Sequence, residues 1–111
     1  MTKTKIFPLA VATVTLMGSG AAMADVAEMQ FGYAKTGPED RVVTVCDTAA
    51  DGHSVYSEFD RSNGTGNRVE VFSGNGTCKA SQWAEARVIR FNVCRNISYQ
   101  PDTCSGTVNV Q

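Results

Sequence analysis

Histidine is almost missing: His53 is the only one in 111 residues. A two-histidine metal site is therefore excluded, and any Ser-His-Asp triad would have to recruit this residue. No G-x-S-x-G elbow is present to raise a nucleophilic serine. Zinc-type cysteine spacing is missing as well: no C-x2-C pair occurs, and successive cysteines stand 32, 16 and 10 positions apart. Heptads, internal repeats and low-complexity linkers do not occur, which leaves neither a coiled coil nor a solenoid. His53 reads most simply as a polar residue leaving the Asp51-Gly52 turn. The expectation is a protein that is not an enzyme and calls for no cofactor.

What is present begins with an export pattern. Lys3 and Lys5 precede an apolar stretch over residues 6–17, and Ala22-Met23-Ala24 supplies small residues for cleavage between Ala24 and Asp25. The stretch is shorter than the roughly 20 residues needed to cross ~30 Å of hydrocarbon. Residues 1–24 are thus expected to be a cleaved signal peptide, leaving no transmembrane segment. Residues 25–111 form one small domain, destined for the extracellular space. Losing Lys3 and Lys5 leaves eight basic and eleven acidic residues, a net charge of −3. That balance offers no footprint for nucleic acid, whose binding rests on neutralising phosphates. The local cluster Arg87, Arg90 and Arg95 reads as a solvated strand face.

The segment 41–59, RVVTVCDTAADGHSVYSEF, sets the style of the chain: an apolar run, an Asp-Gly turn, then an alternating run. Strands are expected over residues 25–33, 42–47, 53–60, 68–72, 87–94 and 106–110, with turns at residues 36–40, 48–52, 63–64, 74–77 and 101–102. Residues 81–86, SQWAEA, are the one stretch that fits a helical turn, with Ser81 as its N-cap. Six or seven short strands with one wet face indicate an all-β fold, a small antiparallel β-sandwich or barrel.

Four cysteines in a small exported chain imply two disulfides, and sequence alone allows three pairings. Strand parity favours Cys46–Cys78 with Cys94–Cys104. Ile89, Phe91 and Val93 share one face of the 87–94 strand, so Cys94 falls with Arg90 and Asn92 on the other, where a bond across a hairpin fits better than one between sheets. Chain entropy gives about 3.7 kcal/mol for the larger loop and about 2.7 kcal/mol for the smaller.

Asp47, Asp51 and Asp60 raise the question of calcium, but their spacing misses the EF-hand pattern, and Asx-turn capping accounts for them. Asn63, Asn75 and Asn96 head N-x-[ST] sequons, two of which are Asn-Gly turns. Tyr56, Phe72 and Trp83 fall on faces or loops that need not be buried. With Arg68 or Arg90 they make the one candidate partner patch, since Tyr, Trp and Arg dominate interface hot spots.

At VCDTAADGHSVYSEF, followed by RSNG, GNGTC and VCRN…DTCSG, the chain resembles a family of small secreted actinobacterial proteins of unknown function. The resemblance spans about residues 41–106. It implies export and two disulfides and brings no activity with it. The motifs of the small bacterial amylase and subtilisin inhibitors are not found. The expectation is a secreted binding module for a protein or cell-surface partner. Its sharpest form is an inhibitor of an extracellular hydrolase, presenting residues 74–79 or 94–104 as a rigid loop. A structural, envelope-associated protein is the alternative.

Overall fold

The computed structural model describes residues 25–111, so the expected signal peptide over residues 1–24 lies outside the described residues. Ten short strands follow one another: β1 (Val26–Met29), β2 (Gly32–Thr36), β3 (Val43–Asp47), β4 (Val55–Arg61), β5 (Gly64–Val71), β6 (Cys78–Ala80), β7 (Val88–Phe91), β8 (Cys94–Arg95), β9 (Thr103–Cys104) and β10 (Val108–Asn109). They pair antiparallel in two sheets that together make a half-barrel. One sheet runs β1-β2-β3-β6. In the other, β4 pairs β5 along one edge and shares its opposite edge between β7 and β8, which in turn pair β10 and β9.

Valine alternation explains the assembly. Val43 and Val45 of β3, Val55 and Phe59 of β4, and Val69 and Val71 of β5 all point inward and meet Val88, Phe91 and Val93 in one core. Period-2 alternation brings each set onto a single face, as the sequence implies. The pairing Cys46–Cys78 and Cys94–Cys104 is the one parity favours. Each bond joins residues directly opposite on neighbouring strands. The hydrogen bonds Ser81 N–H to Val43 O and Asp47 N–H to Thr77 O flank Cys46 and Cys78. By alternation these two cysteines form a non-hydrogen-bonded pair, where antiparallel chains approach most closely; their Cα atoms are 4.0 Å apart.

Four details depart from the sequence reading. The strand expected over residues 25–33 folds back on itself at Gln30-Phe31, with Met29 opposite Gly32. No Gly, Pro or Asn marks that turn. The cue is Gly32 itself, where an added Cβ would stand 2.4 Å from the carbonyl oxygen of Cys46, so only glycine lets β2 approach β3. The strand expected over residues 87–94 is broken by a bulge, because Arg61 pairs Val88 while Asp60 pairs Arg90. Val88 therefore takes the fully buried place that simple alternation assigns to Ile89, which is only half-buried. Cys94 is likewise fully buried beside its ladder partner Tyr56, not on a wet face.

Residues 81–86 form no helix. They run as an irregular strap whose carbonyls are held by arginines instead of by their own amides. Arg61 donates to Gln82 O at 2.9 Å and Ala86 O at 2.8 Å, and Arg41 donates to Glu85 O. Ser81 caps a strand, its Oγ accepting from the Val43 N–H at 2.9 Å.

Candidate binding site at the open seam

Among the described residues the two sheets leave edges unpaired at β1, β5, β6, β9 and β10. Two of these edges, β5, paired only to β4, and β6, paired only to β3, line one opening. Between them lies a groove of about 630 Å³. Phe72, directly after β5, is 74% exposed at its border, and Trp83 of the strap is 54% exposed. Trp83 is steadied by Arg41, whose guanidinium lies 5.5 Å from its ring centroid. Arg61 lies in the groove wall, buried, spending its hydrogen bonds on the carbonyls of Arg41, Gln82 and Ala86. Burial pushes its pKa down, yet no carboxylate answers its charge among the described residues. Lys79 sits opposite Val45, so its side chain leaves the sheet on the same face as that core residue and enters the groove.

A polar network covers the outer face of β4 and β5, and its ion pair Arg68–Glu70 also lines the groove. Arg68 stacks on Tyr56, 3.6 Å from the ring centroid, and reaches Glu70 at 2.7 Å. Glu70 also accepts from Ser54 and from Asn96. Burial pushes the Glu70 carboxyl up, but the hydrogen bonds from Ser54, Arg68 and Asn96 outweigh it and hold the group below the usual carboxylate range. The Tyr56 hydroxyl donates to Asp102, and burial together with that carboxylate pushes its pKa up to about 12. Asp102 is held low by the Tyr56 hydroxyl and by the Ile97 N–H. Loop 95–103, closed by Cys94–Cys104, is thereby fastened to the sheet at both ends. At its crest Tyr99 is 105% exposed with φ 64°.

Of the sequence-derived patch, Phe72, Trp83 and Arg68 line the groove together. Tyr56 does not belong to it. It is 4% exposed, roofed by Arg68 and tied to Asp102, so it braces the site without facing a partner. Arg90 lies elsewhere, paired to Asp60 at 2.9 Å beside a separate recess. Arg87 and Arg95 are paired in the same way, to Asp40 at 3.2 Å and Asp51 at 3.1 Å.

The three aspartates raised for calcium each serve backbone. Asp47 accepts from Ala49 N–H, Asp51 from His53 N–H and Asp60 from Gly66 N–H. His53 follows the Asp51-Gly52 turn, and the neighbouring Ser54 hydroxyl is directed to Glu70. Sequence reasoning passed over Arg61 and Lys79. Nothing local marks Arg61, whose partners lie 20–25 positions away, whereas Lys79 was findable from the inward parity of Val45 and the Cys46–Cys78 pairing. No protein-family model, curated protein or solved structure matches the chain. Among the described residues no helix is long and apolar enough to cross a membrane.

Proposed function

We propose that this protein is a secreted, non-catalytic binding module whose partner docks at the open seam. The carrying observation is the pair Phe72 and Trp83, two large aromatics left exposed on either side of a groove between unpaired strand edges. Exposed aromatics grouped in this way mark interaction sites far more than scattered surface residues do. Export is supported by the pattern of residues 1–24 and by two disulfides, which persist in oxidising compartments.

The test is a pull-down with the oxidised exported protein as bait, against the producer's own culture supernatant and envelope extract. A partner held by the natural protein and released by the double variant Phe72→Ala/Trp83→Ala is the expected result. Retention that survives both substitutions, or no retention at all, overturns it.

Tyr99 favours a second reading, inhibition of an extracellular hydrolase. A fully exposed aromatic on a loop braced by a disulfide and by Asp102 is an anchor whose ordering cost is met in advance. This reading expects inhibition of at least one enzyme in a panel of secreted proteases and glycosidases, relieved by Tyr99→Ala. An inactive natural protein across the panel removes it.

A further inference from the structure

Among the described residues, four cations have no carboxylate partner: Lys35, Arg41, Arg61 and Lys79. Three of them converge on the seam, Arg61 and Lys79 in the groove wall and Arg41 against Trp83. The other four arginines are each neutralised by an aspartate or glutamate. A domain with net negative charge therefore concentrates its unanswered positive charge at one groove, and that groove is the one bordered by exposed aromatics.

Resting on the binding-module reading, we infer that the groove takes an extended acidic peptide segment of a partner protein, with a carboxylate against Lys79 and an apolar side chain between Phe72 and Trp83. The backbone of the seam favours a peptide over other polyanions. Since Ser81 N–H and Thr77 O are spent on β3, alternation turns the N–H and C=O groups of Cys78 and Ala80 to the free edge of β6. An extended chain can use such groups. A symmetric pairing of two copies through β6 is disfavoured, because it would bring Lys79 close to Lys79. The Lys79 ammonium has no hydrogen-bond partner among the described residues, so it is free to meet a ligand.

Trp83 is the only tryptophan in the chain, and its emission reports directly on the groove. The probes are synthetic octapeptides, each with one leucine, built on aspartate and glutamate, on lysine, or on serine and glycine. Polygalacturonate serves as a non-peptide polyanion. The acidic peptide is expected to shift the emission saturably and in a salt-sensitive way, while the other peptides do not. Lys79→Glu, checked for an unchanged melting temperature, should weaken that binding by about tenfold or more and admit the lysine peptide. Equal responses to acidic and lysine peptides, no response to the acidic one, or tighter binding of polygalacturonate overturns the inference. If the acidic peptide fails while a native partner is still released by Phe72→Ala/Trp83→Ala, the ligand class falls and the binding-module reading stands.

Discussion

Ser57 is a hydroxyl sealed in the core. It lies on the inner face of β4 between Val55 and Phe59, is fully buried, and its Oγ has no hydrogen-bond partner. A buried unsatisfied hydroxyl is a standing cost of about 1–3 kcal/mol. Ser57→Ala removes it while leaving only a small void, so a gain of about 1 kcal/mol is expected. Urea unfolding at unchanged slope would show this as a higher midpoint; a lower midpoint would mean that the hydroxyl is bonded in solution. The inward direction of position 57 was legible, since it shares parity with 55 and 59. The burial of Tyr56 was not. Its face is polar by alternation, and only the folded positions of Arg68 and Asp102, 12 and 46 residues away, close over the ring.

At the scale of elements, the junction of β7 and β8 depends on a side chain acting as backbone. Asn92 N–H donates to Glu58 O at 3.2 Å, while the return bond, from Glu58 N–H at 2.9 Å, is accepted by Asn92 Oδ1. The side chain thus completes the ladder across the break. Asn92→Ala should cost about 1 kcal/mol, the usual net value of such a bond. Amide hydrogen exchange at Glu58 should accelerate more than at its neighbours in β4, and uniform acceleration would count against the local role.

Strand identity was readable wherever valines alternate, and the parity that sets Cys94 off the core face of its strand favoured, among three possible pairings, the one that forms. The β1–β2 turn was hidden, since its two residues carry no turn chemistry and the constraint lies in the approach of Gly32 to Cys46. The strap was misread because SQWAEA has acceptable helix propensity, which two arginines from elsewhere in the chain override. The seam itself had no sequence signature. Edges are a property of pairing, and pairing is settled only when the whole sheet is assembled.

For the molecule as a whole, stability should have an acid arm and an alkaline arm. Asp51 and Glu70 carry folded-state pKa values below their ordinary ones of 3.8 and 4.5. For Asp51, burial raises the value, but the His53 N–H and Arg95 bring it down. Their contribution is complete above the unfolded values and is lost as pH falls through the lower folded ones. Tyr56 shifts the other way, so its contribution is complete below about pH 10 and disappears as pH rises towards about 12. Melting temperature against pH should therefore be flat between about pH 5 and pH 9, and Tyr56→Phe should flatten the alkaline fall while also easing the acid one, because the same hydroxyl holds Asp102 low. An unchanged alkaline fall in that variant would assign it to other groups.

The two disulfides have a mechanical consequence. Cys46–Cys78 lies wholly within the first sheet and Cys94–Cys104 wholly within the second. Neither crosses the core. Each ties strands within one half, while the halves are held to each other by side-chain packing, by polar bonds such as Arg61 to Arg41 O and Arg87 to Asp40, and by the connecting loops. A load applied across the molecule would therefore part it like the valves of a shell, with the loops as its ligament. Cys46–Cys78 sews the later strand β6 to the rest of the first valve, whereas in the second valve only β8 and β9 are sewn together.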